Sequence, residues 1–287
     1  MRRIAITVAL AITTLAPPAG AALFGLLGLG TLVEIDPSGG SATELGELQG
    51  GMTNRSFDLS ARPGDTTGLY GISRNSFEGG NQLSRIDTAT QNVTDLFTVS
   101  ASDLGLTGGN PVVFEGISID PNRPSKATLT GAVILGFSLA PLLVEVDLDT
   151  GAADAPVLLS TLVTDVTHDS HGNLFGLTLT DGSEGVGRID PVTGSVSSVA
   201  DGGYRAIAFD VTSGVLLATV GAPDFVGELL EIDPTTGESE VRGSIGLPGS
   251  VNALAFLVPE PGSALLLGLG LGGLACGRST RARPTTD

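Results

Sequence analysis

The sequence predicts an all-β fold, a β-propeller of five four-stranded blades flanked by an N-terminal signal peptide and a C-terminal membrane helix. Three observations predict it. A short phrase recurs five times, its strands alternate apolar and polar residues without a sustained helical period, and one strand at each end of the repeats lacks its expected neighbour. The predicted segments are residues 1–22 for the signal peptide, 23–257 for the propeller and 258–287 for a sorting tail.

The recurring phrase is a half-buried strand that ends in an aspartate and a turn. Its five aspartates, which are 51, 60, 43 and 43 residues apart, are Asp36, Asp87, Asp147, Asp190 and Asp233. The turn reads Asp-Pro-x-Thr-Gly in its clearest form, in which Asp accepts backbone hydrogen bonds and Gly adopts a positive φ. A turn is favoured over a calcium loop, because the alternating acidic ligands of such a loop are missing.

A second strand precedes each of these phrases. Its five copies are predicted at Leu23–Gly25, Leu69–Gly71, Ile134–Gly136, Leu174–Gly176 and Leu216–Ala218. The last strand, at residues 251–257, has no successor, and the strand at Leu23 has no predecessor. We expect residues 251–257 to complete the blade that begins at Leu23 and to close the ring. The main structural alternative is a sixth blade hidden in the interval 87–147, and a two-sheet sandwich is the next.

The N-terminus has the pattern of a secretory signal. Arg2 and Arg3 precede an apolar run, Ile4–Leu15, and small residues follow it. The predicted cleavage region contains Ala19, Ala21 and Ala22. A short buried core helix is the alternative interpretation. The order of charge, apolar run and small residues favours the signal peptide and an exported protein.

The C-terminus carries a motif, an apolar segment and a basic end in that order. The motif is Val258, Pro259, Glu260 and Pro261, the apolar segment is Ala264–Cys276, and the basic residues are Arg278, Arg281 and Arg283. A basic end after an apolar segment is typical of a helix whose arginines stay in the cytoplasm. The arrangement resembles the PEP-CTERM sorting signal of exported bacterial proteins.

The resemblance implies partners and a destination. It implies processing by exosortase, a membrane protease-transpeptidase, after export by the secretion machinery. It also implies a transient stay at the inner membrane and periplasm, delivery to the cell surface or the extracellular space, and a link to exopolysaccharide or the biofilm matrix.

The composition limits the possible chemistry. The formal net charge is −17, which disfavours nucleic acid as a partner, and the single cysteine allows no internal disulfide. No nucleophile elbow, phosphate loop or zinc-protease signature is present, so the sequence predicts no catalytic residue set, no bound metal and no cofactor. His168 and His171, together with Asp165 or Asp169, could bind a divalent metal, but a turn between two strands is the favoured interpretation.

One candidate binding site remains. Glu115, Asp165, Arg205 and Asn252 lie near the beginnings of four strands that we expect to be innermost, so they could form a mixed-charge ring around one mouth of the central channel. The alternative is that they cap strands at a solvent-filled opening.

Three functions follow from these patterns. The favoured one is a non-enzymatic exported protein whose propeller binds or supports extracellular polysaccharide. The first alternative is a metal-dependent propeller hydrolase or lyase, resembling lactonases, at the channel mouth. The second is an adhesin or ice-binding surface, for which Thr128, Thr130, Thr178 and Thr180 give only isolated threonine pairs.

Overall fold

In the described residues between 21 and 258, all regular secondary structure consists of β-strands. No helix long and apolar enough to cross a bilayer occurs in the part of the chain that is described. The predicted signal peptide and sorting tail lie outside that part, apart from Ala21, Ala22 and Val258. The computed structural model describes residues 21–28, 30–50, 57–75, 80–106, 109–180, 183–221 and 226–258.

The described strands form five antiparallel four-stranded sheets, each of which is one blade. Blade 1 contains β20 (Val251–Leu257), β1 (Ala22–Leu27), β2 (Thr31–Ile35) and β3 (Ala42–Glu47). Blade 2 contains β4 (Phe57–Ala61), β5 (Gly68–Asn75), β6 (Gly80–Asp87) and β7 (Val93–Val99). Blade 3 contains β8 (Val112–Ile119), β9 (Lys126–Leu135), β10 (Ser138–Asp147) and β11 (Val157–Leu158). Blade 4 contains β12 (Leu162–His168), β13 (Leu174–Thr180), β14 (Ser183–Ile189) and β15 (Val196–Asp201). Blade 5 contains β16 (Tyr204–Asp210), β17 (Val215–Val220), β18 (Val226–Ile232) and β19 (Ser239–Pro248).

The last strand closes the ring, as the sequence predicts. β20 pairs antiparallel with β1, and this pairing joins Leu23 to Phe256 and Gly25 to Leu254. The first strands of the sheets, β20, β4, β8, β12 and β16, contact one another in a closed circle. The five-bladed propeller is therefore confirmed.

The interval 87–147 contains no sixth blade. Its extra length lies in the connection between β7 and β8 and in the ten-residue strands β9 and β10. The predicted companion strand Ile134–Gly136 is wrong, because Gly136 lies in the β9–β10 turn with a φ of 62°. Ala127 occupies the position at which the companion strand of blade 3 begins. It pairs with Ile119 and Val146 on the two adjacent strands, as Leu174 in blade 4 pairs with one residue on each of its adjacent strands.

Each pair of neighbouring blades encloses its own apolar cluster. Between blades 2 and 3 the cluster includes Ile72 and Phe114, and between blades 4 and 5 it includes Val186 and Leu216. The other three interfaces contain equivalent clusters of Leu, Val, Ile and Ala side chains. Removal of this apolar surface from water, at about 25 cal/mol per Å², stabilises each blade only when its neighbours are present.

The five aspartate turns have the predicted geometry. In each turn the carboxylate accepts backbone N–H bonds from the residues that follow, as Asp190 does from Val192 at 2.9 Å. The pKa of all five aspartates is lowered, because hydrogen bonds favour the charged form. The main cause is a hydroxyl bond from Ser38, Thr90, Thr150 or Thr193 in the first four turns and the backbone N–H bonds in the turn of Asp233. Four turns end in a glycine with φ between 72° and 78°, and Gln91 takes the same left-handed conformation in blade 2.

The turn glycines also touch the outer strand of the preceding blade. A Cβ on Gly194 would lie 1.8 Å from the carbonyl oxygen of Leu158, and one on Gly237 would lie 2.0 Å from that of Val199. Glycine is therefore required at these positions for close approach as well as for φ.

We predict that Gly194→Ala destabilises the propeller more than Gly214→Ala. Gly214 has a similar φ of 79°, but a Cβ there would meet no atom within 4 Å. Its substitution should therefore cost only the left-handed strain, about 1–2 kcal/mol. Gly194→Ala should cost roughly a further 1–3 kcal/mol, because the carbonyl of Leu158 must move. Urea unfolding followed by circular dichroism measures both values, and equal losses would contradict the predicted contact between blades.

Candidate functional site at the inner strands

The five inner strands present two aligned rows of small or polar side chains. Asp58 and Asp165 occupy equivalent positions on the inner strands of blades 2 and 4. Asp58 pairs with the residue after Gly71, and Asp165 pairs with the residue after Gly176. The first row is Asp58, Gly116, Asp165, Ala206 and Ala253, and the second row is Ser60, Ser118, Thr167, Ala208 and Ala255. Small side chains suit these rows because five strands meet around a narrow axis.

The polar members of the rows bind the next blade. Each accepts a hydrogen bond from a backbone N–H of the following inner strand, which is an edge strand of its sheet. The pairs are Asp58 with Ile117 (2.7 Å), Ser60 with Ile119 (2.9 Å), Ser118 with His168 (3.0 Å), Asp165 with Ile207 (2.8 Å) and Thr167 with Phe209 (3.1 Å). Blades 2 to 5 are thus linked through side chains, while alanines fill the rows on β16 and β20.

Asp58 and Asp165 form a buried carboxyl pair. Asp58 is 1% exposed and Asp165 is 3% exposed, and the two carboxyls lie within hydrogen-bonding reach of each other. Loss of hydration raises the pKa of Asp165 to about 7 and the pKa of Asp58 well above its ordinary value, and the charge of Asp165 raises the latter further. Two adjacent buried carboxyls cannot both ionise without a compensating charge.

Thr130 and Asp165 pack so closely against Gly116 that no side chain fits there. A Cβ on Gly116 would lie 2.4 Å from Oγ1 of Thr130 and 3.2 Å from the Cα of Asp165. Thr130 is fully buried on β9 opposite Gly116. Within the described ranges, Oγ1 of Thr130 and Oδ1 of Asp165 are the buried side-chain atoms without a hydrogen-bond partner. Such atoms are costly unless a group outside the chain satisfies them.

The four residues predicted at the channel mouth separate into two kinds. Glu115, Arg205 and Asn252 each occupy a β-bulge of an inner strand, whereas Asp165 lies one residue beyond the bulge at Thr164. The bulged residues are half-buried or exposed, and Asp165 is buried. The structure therefore places Asp165 in the first row and the other three at the bulges.

Arg205 and Asn252 each donate a hydrogen bond to the backbone of a nearby loop. Arg205 donates to the carbonyl of Gly221 at 3.2 Å and lies 4.0 Å from a carboxylate oxygen of Glu184. Asn252 donates to the carbonyl of Gly28 at 3.3 Å. Both therefore brace the loops at their end of the propeller.

The two histidines do not converge. His168 is buried, its Nδ1 lies 2.8 Å from Oγ of Ser118, and burial lowers its pKa to about 4. His171 is exposed, and Asp169 accepts the backbone N–H groups of His171 and Asn173 within the turn. Among the described residues, no group of three or more His, Cys, Asp and Glu side chains is arranged to hold a metal ion.

Sequence reasoning missed Asp58 and Thr130. A signal for Asp58 was present, since Asp58-Leu59-Ser60 repeats the acidic, apolar and hydroxyl order of Asp165-Val166-Thr167. Thr130 carries no such signal, because the missing partner of its hydroxyl follows only from its burial on β9 opposite Gly116.

A surface pocket lies on blade 4, apart from the carboxyl pair. Its lining includes Asn173, Arg188, Asp190, Ser195 and Ser197. Hydroxyl, amide and guanidinium groups can donate or accept the hydrogen bonds that sugar hydroxyls offer.

Comparisons with known proteins show the fold. No protein-family model and no curated protein sequence matches the chain. Solved structures similar to it include a nidogen/laminin complex, at 14% identity, and a protein assigned as TolB from Agrobacterium tumefaciens, at 16%. For both, the TM-score is 0.50 and the match covers 82% of each chain. The chain spans about half (54%) of TolB from Acinetobacter baumannii, at 13% identity and a TM-score of 0.47. At these identities the likeness concerns the propeller fold.

We predict that the contribution of Asp58 and Asp165 to stability falls as the pH rises from about 4 through 7, whereas buried His168, whose pKa is lowered from 6.5 to about 4, contributes in the opposite direction. The pKa of both carboxyls is higher in the folded state than in the unfolded chain. The folded state therefore holds more protons, and this stabilisation is complete below the unfolded pKa and lost above the folded one. Asp165→Asn should remove part of this dependence, because burial still raises the pKa of Asp58, and should raise the free energy of unfolding at pH 8 by on the order of 3 kcal/mol.

Asp65→Asn is the matched control for this prediction. Its ion pair with Arg85 lowers the pKa of Asp65 to about 2, so Asp65 stabilises the fold above pH 4 and loses that effect as the pH falls toward 2. Urea unfolding in chelator-containing buffer at several pH values measures both variants. An Asp165→Asn variant with the pH slope of the wild type would contradict the assigned pair.

Proposed function

We propose that this protein is an exported, non-enzymatic propeller that a PEP-CTERM tail sorts to the cell surface or matrix, where it binds extracellular polysaccharide. One observation carries the proposal. The propeller is complete at Leu257, the last residue of β20, and the Val258-Pro259-Glu260-Pro261 motif begins at the next residue. Processing at the motif would remove no strand from the ring.

The charge distribution supports delivery to an aqueous exterior. Residues 1–22 and 262–287 carry five of the 14 basic residues and one of the 31 acidic ones, so the body between them has a net charge of −21. A strong net charge keeps a surface component hydrated and limits self-association. The polar pocket on blade 4 supplies groups that suit neutral sugars, and Arg188 is its cationic member.

The threonine pair Thr128 and Thr130 does not support the ice-binding alternative. Thr128 and Thr130 are 3% and 0% exposed, because they lie on β9 inside blade 3. A flat surface array cannot include them. The polysaccharide hypothesis needs no such array.

We predict that Pro259→Ala combined with Pro261→Ala blocks processing of the tail in a host that contains exosortase. Proline disfavours helical backbone at and before its own position, and an extended segment is what a protease can bind. The full chain should accumulate at its unprocessed size in the membrane fraction, whereas the wild type should be shortened and recovered with the exopolysaccharide. Pulse–chase labelling and immunoblotting of the two fractions measure the result.

Two matched variants sharpen this experiment. Pro284→Ala changes a tail proline outside the motif and should be processed like the wild type. Arg188→Ala should be processed normally but released from the polysaccharide into the medium. Normal processing of the double-proline variant would refute the sorting role, and unchanged retention of Arg188→Ala would refute the pocket on blade 4 as the sugar contact.

A further inference from the structure

The turn between β9 and β10 exposes three large apolar side chains in blade 3. Gly136 and Phe137 form a two-residue loop, and the φ of 62° at Gly136 is typical of a hairpin with glycine at the first loop position. Phe137 is fully exposed at the apex, and Leu135 and Leu139 on the flanking strands are 47% and 55% exposed. We call Leu135, Phe137 and Leu139 the hairpin tip. Exposed apolar groups that lie together mark contacts with proteins or membranes.

The hairpin tip projects beyond the strands beside it. On the inner side, the last bond to a neighbour joins the N–H of Ile134 to the carbonyl of Pro111 at 2.9 Å. On the outer side, the last one joins the N–H of Leu159 to the carbonyl of Pro141 at 3.0 Å. In the described part of the chain, residues 135–139 therefore pair only within the hairpin. At the rise of a β-strand, the apex lies roughly 8 Å past Ile134.

The hairpin carries no charge, although the propeller is strongly acidic. Residues 127–144 contain no Asp, Glu, Lys or Arg. The residues that join the equivalent strands in blades 2, 4 and 5 include Glu78, Asp181 and Asp224. Because burial of an unpaired charge is costly, those connections are unsuited to an apolar medium. The β9–β10 hairpin can enter such a medium without removing an ion from water.

Apolar side chains lie on both faces of the hairpin. Successive residues of a strand point to opposite faces. Leu135 pairs with Ser138 on one face, and Leu139 pairs with Ile134 on the other. Phe137 occupies the apex between them. A protein surface would cover one face and leave the other in water, whereas a lipid bilayer surrounds an inserted tip on all sides.

Charge and area disfavour a second copy of the chain as the partner. Each body has a net charge of −21, so two copies repel each other. A stable protein complex buries roughly 800 Å² on each partner, and one aromatic side chain contributes only about 150–250 Å². Three partly exposed side chains fall well short of that area. A bilayer of lipids without net charge adds no such repulsion and needs no matching surface.

We propose that the hairpin tip inserts Leu135, Phe137 and Leu139 into a lipid bilayer whose headgroups carry no net charge. A projection of roughly 8 Å fits the boundary between headgroups and acyl chains, into which apolar faces sink by about 5–10 Å. Three side chains without a covalent lipid give weak, reversible binding. The proposal goes beyond the proposed function and depends neither on sorting nor on polysaccharide.

The hairpin tip lies at the face of the propeller opposite to the end of β20. The inner strands run in the same direction, as the parallel order of the bonds from blade 2 to blade 3 shows. Each inner strand begins beside the hairpin of its blade, since Val251 pairs with Leu27 and Leu257 pairs with Ala22. β20 therefore ends at the face that carries the aspartate turns. The lipid contact of the hairpin is separate from any contact made by the segment after Leu257.

The test uses tryptophan as a reporter, because the chain contains none. The full chain, with its apolar C-terminal segment covered by an amphipathic polymer, carries either Phe137→Trp or the control Val192→Trp. Val192 is exposed in the turn of Asp190, at the opposite face. When large phosphatidylcholine vesicles are added, the emission of Phe137→Trp should shift to the blue, and brominated acyl chains should quench it. The emission of Val192→Trp should do neither.

Serine variants measure the contribution of each side chain to binding. In vesicle sedimentation, Phe137→Ser should weaken binding about tenfold or more and Leu139→Ser several-fold, because each removes apolar surface that the bilayer takes from water. Leu158→Ser is the matched control, since Leu158 is 67% exposed on β11 of the same blade. It should bind like the wild type. The thermal midpoint of all three should stay near that of the wild type, because these side chains already contact water.

The headgroup charge gives an independent test. Phosphatidylglycerol vesicles should bind more weakly than phosphatidylcholine vesicles at low salt, since the acidic body is repelled and the hairpin has no basic residue. Stronger binding to the anionic vesicles would contradict the proposal.

Three further outcomes would overturn the proposal. If the emission of Phe137→Trp is unchanged at millimolar lipid, the tip does not insert. If it shifts with protein concentration in the absence of lipid, a second copy covers the tip. If Phe137→Ser binds vesicles like the wild type, or if both tryptophan variants are quenched equally, the vesicles are bound by another part of the chain.

Discussion

The pairing of β20 with β1 is the interaction on which the rest of the structure depends. These strands are separated by almost the whole chain, and their ladder turns a row of five sheets into a ring. Without it, blade 1 would lack its inner strand and the apolar clusters on both of its faces would open to water. The ring also packs the inner edge strands of the sheets against one another, so that they are protected from pairing with other chains. Local strand propensity therefore suffices within each blade, while the circle needs this one non-local contact.

Closing five blades around one axis imposes a second constraint. The inner strands approach so closely that only small or hydrogen-bonding side chains fit in the two rows. On β16 and β20 the rows contain alanine. On the other inner strands they contain side chains that accept hydrogen bonds from the N–H groups of the next inner strand. Gly116 is the exception, because even a Cβ there would lie 2.4 Å from Oγ1 of Thr130 and 3.2 Å from the Cα of Asp165. The crowding therefore excludes every side chain at this position.

The fold was largely predictable because it is repeated. Five aspartate turns and two unmatched end strands were enough to predict the blade number and the closure. The irregular copy was misjudged: in blade 3 the Leu-Phe-Gly pattern is absent at Ala127, and the hairpin turn at Gly136 resembled it by composition. The candidate site was harder to predict from the sequence, because bulges shift the inner strands by one residue. Only the strand pairing in the structure shows that Asp165 is equivalent to Asp58 and is not equivalent to Glu115.

Hydrogen exchange of the body tests ring closure most directly. Amides of β1 and β20 should exchange as slowly as those of β9 and β10 in blade 3, because closure makes the blades unfold together. The comparison requires only peptide-level mass spectrometry of the native protein over minutes to hours. Fast exchange in β1 and β20 alongside protected β9 and β10 would contradict the account, since it would show an open array whose terminal strands do not pair.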